Sequence, residues 1–168
     1  ESKNQNPADR ILLNDGQGAF TDSGQRLGDW NSTAVALGDI DGDGDLDALV
    51  GAGSGVHVWR NQGGAQTGAT GTFALDSQTL DQAQTRAIFL ADLDGDGDAD
   101  ALLAGQRRAA IWWNDGGGVF TEAQQSFRYS RKSGVALGDF NGDDRLDIFA
   151  AAYDNSHRLW LNQGSGVF

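Results

Sequence analysis

Short runs of β-forming residues alternate with glycine-rich turns along almost the entire chain. No long stretch keeps apolar residues at helical spacing without an intervening glycine. We interpret the following runs as strands: 10–14, 19–27, 33–40, 46–51, 56–60, 72–80, 86–93, 99–104, 109–113, 119–127, 134–140, 146–151 and 158–161. The pattern predicts an all-β protein.

Two motifs recur in step along this pattern. A turn motif rich in Asn and Gly recurs at spacings of 47, 53 and 48 residues, and an acidic motif recurs at spacings of 53 and 47 residues. The first residues of the turn motif are Asn14, Asn61, Asn114 and Asn162, and those of the acidic motif are Asp39, Asp92 and Asp139. Periods of this size indicate stacked supersecondary units. Each unit holds four short strands, which is typical of a β-propeller blade with antiparallel strands.

The repeat divides the chain into about three and a half blades. We predict a polar N-terminal segment at 1–9 and propeller repeats over 10–168, comprising a partial blade at 10–30, blades at 31–80 and 81–128, and a C-terminally incomplete blade at 129–168. Closed propellers have about four to eight blades. We therefore expect the chain to be a fragment of a larger propeller or to complete a ring as a homodimer. The turn motif that ends at Phe168 opens a fourth strand elsewhere, which favours a fragment.

Three nearly identical acidic loops indicate the chemistry of the chain. Their sequences are DIDGDGDLD at 39–47, DLDGDGDAD at 92–100 and DFNGDDRLD at 139–147. Crowded carboxylates repel one another unless a cation lies among them, and Ca²⁺ takes six to eight oxygen ligands at about 2.3–2.6 Å. A tight loop with carboxylates at alternate positions supplies such ligands. We therefore predict three Ca²⁺ sites.

Within each loop, positions one, three, five and nine offer side-chain oxygens, and position seven offers its backbone carbonyl. The predicted ligands are Asp39, Asp41, Asp43, Asp45 and Asp47; Asp92, Asp94, Asp96, Asp98 and Asp100; and Asp139, Asn141, Asp143, Arg145 and Asp147. Position twelve is apolar, whereas an EF-hand carries a bidentate acid there, and the flanks are β-like. The loops are therefore predicted to join β-strands. Because the third loop has an amide in place of one carboxylate, we expect it to bind calcium most weakly.

The charge of the chain fits this interpretation. The formal net charge is −12, and five, five and four of the 24 acidic residues lie in the three loops. Nucleic-acid binding needs a basic face, so this acidity argues against a nucleic-acid partner. The chain has no Cys, which excludes disulfides and thiolate metal sites. It also has no run of 18 apolar residues, so we expect no membrane span.

Several aromatic residues occupy repeated positions. Trp59, Trp112 and Trp160 each lie two residues before a repeated asparagine, which predicts packing between neighbouring blades, with sugar stacking as the alternative. The recurring Phe20, Phe73, Phe120 and Phe168 are expected core residues. Trp30 and Trp113 break the repeat, so we consider them candidates for exposed sugar contact. Neither His57 nor His157 lies in a recognisable nucleophile motif, so we predict no catalytic activity. The long stretch 63–71 is interpreted as a surface insertion, with a binding loop as the alternative.

These motifs resemble the FG-GAP/VCBS-type repeats of integrin α-chain-like β-propellers. The resemblance depends on the acidic loops, on ALGD at 36–39 and 136–139 and on DALVG at 47–51, and it covers nearly all of residues 10–168. The Phe-Gly and Gly-Ala-Pro signatures of the family are missing or reduced, so the match is closer to a degenerate, bacterial-looking form.

The resemblance has functional implications. It implies structural calcium between strands, a secreted or cell-surface location, and a recognition, adhesion or scaffold role toward a protein or glycan ligand. The alternatives are a lectin-like carbohydrate-binding propeller and an accessory domain of a secreted enzyme.

Overall fold

The computed structural model describes residues 8–63, 71–80, 85–130, 134–152 and 156–168. Over these ranges the chain forms thirteen strands and no helix. The strands are β1 (Asp9–Asn14), β2 (Phe20–Leu27), β3 (Ser32–Gly38), β4 (Asp47–Ala52), β5 (Gly55–Asn61), β6 (Phe73–Leu80), β7 (Ala87–Ala91), β8 (Asp100–Ala104), β9 (Arg108–Asn114), β10 (Phe120–Arg128), β11 (Gly134–Gly138), β12 (Asp147–Ala151) and β13 (Arg158–Trp160). Accordingly, the described residues include no helix with the length and hydropathy needed to cross a bilayer.

The strands form four antiparallel sheets in which sequence neighbours pair. Two sheets have four strands, in the orders β3-β4-β5-β6 and β7-β8-β9-β10, one has the three strands β11-β12-β13, and one has the pair β1-β2. We refer to the sheets, in chain order, as the half-blade (β1-β2) and blades one, two and three. The predicted all-β fold of four-stranded antiparallel blades is confirmed.

The first strand of each blade is shorter than predicted. Strands β3, β7 and β11 end at Gly38, Ala91 and Gly138, two residues before the predicted ends. The backbone N–H two residues further on, which would continue the hydrogen-bond ladder, donates instead to a side-chain carboxylate of the acidic loop. In blade two, for example, the N–H of Leu93 donates to Asp100 at 2.9 Å. Loop chemistry thus terminates the strand.

The hydrophobic core consists of three clusters, and each lies between two adjacent sheets. Trp59 packs with Leu27 between the half-blade and blade one, Trp112 packs against the cluster between blades one and two, and Trp160 packs against the cluster between blades two and three. The predicted inter-blade role of these three repeated tryptophans is confirmed. Because each blade buries its faces against its neighbours, stability comes from stacking rather than from one central core.

A repeated glutamine also joins adjacent blades. The side-chain amide of Gln78 donates to the carbonyl of Gly118 at 2.9 Å, and its oxygen accepts from the N–H of Phe120 at 2.9 Å. Gln25 makes the same two bonds to Gly71 and Phe73, and Gln125 makes them to Gly166 and Phe168. We call each pair of bonds a glutamine clasp. Each clasp runs from the outer strand of one blade to the glycine turn of the next.

The outer edges of the stack differ from its interior. Phe20 is 61% exposed, whereas the equivalent Phe120 is 6% exposed. The prediction that Phe20 is a core residue is therefore wrong, because no described blade precedes the half-blade and covers it. Residues 1–7 of the predicted polar segment and residues 64–70 of the predicted insertion lie outside the described residues.

Candidate metal centre

The three acidic loops occupy the same place in their blades. Each loop joins the first strand to the second, between β3 and β4, β7 and β8, and β11 and β12. Strands on both sides agree with the predicted departure from an EF-hand, which needs flanking helices.

Two of the loops gather three carboxylates each. Among the described residues, ligand atoms of Asp39, Asp41 and Asp47 lie within 4.8 Å of one another, as do those of Asp92, Asp94 and Asp100. These residues hold positions one, three and nine of the first and second loops. Three carboxylates at such distances concentrate negative charge, and oxygen donors of this kind suit a hard cation such as Ca²⁺.

Position nine is the buried anchor of each loop. Asp100 is fully buried, and its two oxygens accept from the N–H groups of Leu93 and Asn114, both at 2.9 Å. Asp47 and Asp147 are equally buried and make the same pair of bonds. This aspartate therefore joins the start of its loop to the end of the third strand.

Position one organises the backbone of each loop. Asp39 accepts from the N–H groups of Gly42, Asp43 and Gly44 at 2.8, 3.1 and 3.0 Å. Asp92 and Asp139 bind the same part of their own loops. The loop backbone therefore wraps around the carboxylate of position one. This conformation keeps the carboxylates of positions three and nine close to that of position one.

Positions five and seven are arranged differently from positions one, three and nine. Asp43 and Asp96 accept from the backbone N–H two residues later, at 2.8 and 2.9 Å, and neither belongs to the carboxylate clusters. Position seven was predicted to act through its backbone carbonyl, and the side chain of Asp45 has one oxygen, Oδ2, that is buried without a hydrogen-bond partner. An uncompensated buried carboxylate oxygen is costly, and a bound cation offsets such a cost.

The third loop does not form a comparable cluster among the described residues. Its position three is Asn141, whose side-chain amide donates to Asp143 at 3.0 Å, and Arg145 forms an ion pair with Asp143 at 2.7 Å. Asp144 adopts a φ of 65°, where the first two loops have glycine. Among the described residues, three acidic side chains therefore gather in loops one and two but not in loop three.

Burial and hydrogen bonding push the carboxyl pKa values of the loops in opposite directions. Burial raises the pKa of Asp100 to about 6, against the two backbone hydrogen bonds that lower it. Burial also raises the pKa of Asp47 and of Asp94. In contrast, backbone N–H groups, that of Asp144 first, lower the pKa of Asp139. A cation would favour the ionised form of the buried carboxylates, so the protein alone leaves them unfavourably charged.

The geometry of the acidic loops agrees with a comparison of the sequence with known families. The profile of the FG-GAP-like repeat matches residues 4–50, 39–103 and 92–150. The chain belongs to the FG-GAP-like repeat family. No curated protein matches the chain. The predicted family is confirmed, and its acidic loops are the repeated feature of the three matches.

Solved structures with the same fold include a lectin and a toxin. A lectin of Agrocybe aegerita, described as specifically recognising non-reducing terminal N-acetylglucosamine, superposes with a TM-score of 0.60 and 23% sequence identity, over 97% of this chain and 46% of the lectin chain. A chain of the Photorhabdus luminescens Tc holotoxin pore superposes with a TM-score of 0.52 and 22% identity, over 92% of this chain and 8% of the toxin chain. The FG-GAP-like chain therefore spans less than half the length of either neighbour.

An arginine that the sequence did not single out contacts the first FG-GAP-like loop. Arg60 forms ion pairs with Asp41 at 2.9 Å and with Asp76 at 2.7 Å. It stands directly before the repeated Asn61, where the other units have Leu13, Trp113 and Leu161. The only sequence signal was that a charged residue replaces an apolar one in this position of the repeat.

Trp30 and Trp113, the two tryptophans that break the repeat, are packed rather than exposed. Trp30 is half-buried and stacks on His57 with ring centroids 3.7 Å apart. Trp113 is half-buried under the turn of blade three, where it lies 2.8 Å from the position of a Cβ on Gly166. The sequence predicted Trp30 and Trp113 as candidates for exposed sugar contact, whereas both rings pack against other residues of the protein.

Proposed function

We propose that the FG-GAP-like chain is a calcium-binding recognition or scaffold module that acts outside the cell, and that calcium stabilises its hairpin ends. The observation that carries this proposal is the repeated cluster of three carboxylates at equivalent loop positions, within 4.8 Å in loops one and two. All of these donors are oxygens, and Ca²⁺ prefers oxygen donors from flexible loops.

The clustered carboxylates of a loop would bind calcium together, and the one at position nine would also connect the ion to the blade. In the second loop, Asp92, Asp94 and Asp100 would bind the ion. Asp100 would carry the effect of binding into the blade, because its oxygens also accept from Leu93 at the start of the loop and from Asn114 at the end of the third strand. When bound, calcium supplies two positive charges that offset the repulsion among the carboxylates. The expected consequence is a more stable blade, since an ion that binds only the folded state stabilises it by mass action.

The experiment is a calcium titration by calorimetry on metal-free protein. We expect binding, and we expect Asp92→Asn combined with Asp94→Asn to remove one site. Asp29→Asn, at an exposed aspartate outside the loops, is the matched control and should leave binding unchanged. The absence of calcium binding by the unmodified protein at millimolar calcium would overturn the proposal.

A second candidate function is glycan binding. The lectin that shares the fold over 97% of this chain favours it, although the identity is only 23%. The test is a glycan array that includes N-acetylglucosamine-terminated glycans, with free N-acetylglucosamine as competitor. Specific and competed binding would support a lectin role, whereas an array with no signal would leave a protein ligand as the proposal.

We also propose that the chain has no catalytic activity of its own. His57 is buried, its pKa is lowered by burial, and its Nε2 lies 2.9 Å from Ser54 Oγ. This pair places a hydroxyl beside an imidazole, but burial disfavours the imidazolium that a general base would have to form. Turnover in a hydrolase assay that is lost in His57→Ala would instead indicate an enzyme or an accessory domain of one.

A further inference from the structure

We propose that Arg60 is a built-in counter-cation of the first acidic loop and makes that loop bind calcium more weakly than the second. This inference depends on the proposed calcium-binding function and adds a ranking of two sites that have the same five aspartates. The residue responsible lies outside both loops, in strand β5.

The guanidinium of Arg60 contacts a predicted calcium ligand directly. Its Nη1 donates to Asp41 Oδ2 at 2.9 Å, and Asp41 is position three of the first carboxylate cluster. The side chains of both residues are largely buried, at 19% and 8% exposure. At such sites solvent screens the charges weakly. A cation that approaches Asp41 therefore meets a positive charge that the protein itself provides.

Arg60 is held by groups that do not belong to the loop. Its Nε donates to Asp76 Oδ2 at 2.7 Å, and its two terminal nitrogens donate to the carbonyls of Gly117 and Gly118 at 3.1 and 3.0 Å. A Cβ on Gly118 would lie only 2.6 Å from Nη1 of Arg60, so the turn of blade two closes directly over the guanidinium. If calcium takes an oxygen of Asp41, these three other contacts keep the positive charge next to the ion.

The second loop has no such cation in the part of the chain that the structure describes. The residue equivalent to Arg60 is Trp113, an uncharged ring that lies 2.8 Å from the position of a Cβ on Gly166. No described lysine or arginine forms an ion pair with the carboxylates of loop two. Two loops with the same five aspartates therefore differ by one neighbouring positive charge.

The thermodynamic consequence is a coupling between Arg60 and calcium. Arg60 stabilises the calcium-free blade by neutralising part of the carboxylate repulsion, and it opposes calcium at the same place. By linkage, the free energy by which Arg60 weakens calcium binding equals the loss of its stabilising effect when calcium binds. Arg60 is thus expected to contribute more to the stability of the calcium-free protein than to that of the calcium-bound protein.

The experiment isolates the first loop and then removes the charge. In a background with Asp92→Asn, Asp94→Asn and Asp139→Asn, which silences loops two and three, calcium binding is measured by calorimetry for Arg60, Arg60→Leu, Arg60→Gln and Arg60→Lys. Leucine occupies this position in two other units, glutamine can still donate to the glycine carbonyls, and lysine keeps the charge. Because removal of a nearby like charge lowers the repulsion that calcium meets, we expect loop one to bind roughly tenfold more tightly in the two neutral variants and nearly unchanged in Arg60→Lys.

Melting temperatures with and without calcium give an independent measure that needs no silenced loop. The increase on adding calcium should be larger in Arg60→Gln than in the unmodified protein. Equal increases, or a tighter loop one only when arginine is present, would overturn the inference, as would the absence of binding at loop one in every variant. If the unmodified protein binds no calcium at all, the proposed function itself fails, so the two failures are distinguishable.

Discussion

Single buried aspartates join the acidic loops of this protein to its fold. Asp100 ends the second acidic loop, belongs to its carboxylate cluster and accepts from the backbone N–H groups of Leu93 in the loop and Asn114 at the end of β9. Burial makes its ionised form unfavourable, and the N–H donors only partly offset that cost. In the metal-free protein the carboxylate of Asp100 is therefore readily protonated, and the proposed calcium ion would compete with that proton.

This balance predicts an unusual titration of Asp100. Burial raises its pKa to about 6 in the metal-free protein, above the value of about 3.9 for an unfolded aspartate. Between these values the folded state binds more protons than the unfolded state, so the contribution of Asp100 to the free energy of unfolding decreases as the pH rises through this window. Calcium should reverse the effect by favouring the carboxylate.

The measurement is carboxyl-carbon NMR of metal-free protein. We expect a midpoint near pH 6 for Asp100, with Asp139 as an internal control whose pKa is lowered by backbone N–H groups. A midpoint for Asp100 at or below that of Asp139 would contradict the assigned effect of burial.

The glutamine clasps are the other residue-scale device. Gln25, Gln78 and Gln125 are each the last residue of a three-residue bulge, in which three residues of the outer strand face one residue of its partner. The bulge interrupts the ladder, and the glutamine instead bonds to the next blade. One side chain thereby satisfies a carbonyl and an N–H that belong to a different sheet.

We predict that Gln125→Ala destabilises the protein by about 1–3 kcal/mol, because two backbone partners in blade three lose their hydrogen bonds. The neighbouring Gln124 is exposed, so Gln124→Ala is the matched control and should have little effect. Chemical denaturation of both variants gives the comparison, and equal losses would argue against the clasp.

At the scale of the element, the glycine-rich turns of blades two and three pack closely against a side chain of the preceding blade. A Cβ on Gly166 would lie 2.8 Å from the Trp113 ring, whereas a Cβ on Gly18, at the equivalent position of the half-blade, would meet nothing within 4 Å. Both glycines have positive φ, +70° and +93°. They therefore share the conformational requirement but differ in the close approach.

This pair separates backbone strain from packing. Gly18→Ala should cost about 1–2 kcal/mol from left-handed strain alone. Gly166→Ala should cost about 1–3 kcal/mol more, because the added methyl group collides with Trp113. Denaturant unfolding measures both changes, and similar losses would mean that the turn of blade three can move away from the ring.

We expect the three acidic loops to differ in calcium affinity. Loop three has an amide at position three, and its Asp143 is paired with Arg145. Because ligand charge tunes calcium affinity, we predict that loop three binds most weakly and loop two most tightly. Calorimetry of Asp92→Asn and Asp139→Asn variants tests this order. Loss of the tightest binding event in Asp139→Asn rather than in Asp92→Asn would contradict it.

At the scale of the molecule, the stack depends on three clusters between four sheets and on loops that concentrate negative charge at equivalent positions of successive blades. The formal net charge of −12 opposes compactness when no cation is present. We therefore predict that removal of calcium with a chelator lowers the melting temperature substantially. Magnesium in place of calcium is a suitable control, since its smaller octahedral shell fits flexible loops poorly. An unchanged melt would contradict a structural role for calcium.

The outer edges of the stack bear on assembly. Phe140 is 51% exposed at the edge of blade three, whereas the equivalent Ile40 and Leu93 are 1% exposed because the next blade covers them. The pairing of two copies into a ring remains a prediction, and light scattering tests it. A mass near 35 kDa, twice the 17.7 kDa of the chain, would indicate a dimer, and a mass near 18 kDa would exclude one.

The sequence by itself determined the elements and the family. Periods of 47 to 53 residues, glycine-bounded β-runs and alternating aspartates are local patterns, and local patterns suffice to predict strands, blades and loops. Tertiary structure decided which groups meet across blades. The contact between Arg60 and Asp41, the glutamine clasps and the packing of Trp30 on His57 join residues that no short spacing connects. Such contacts depend on how sheets stack, so they became visible only once the blades were in place.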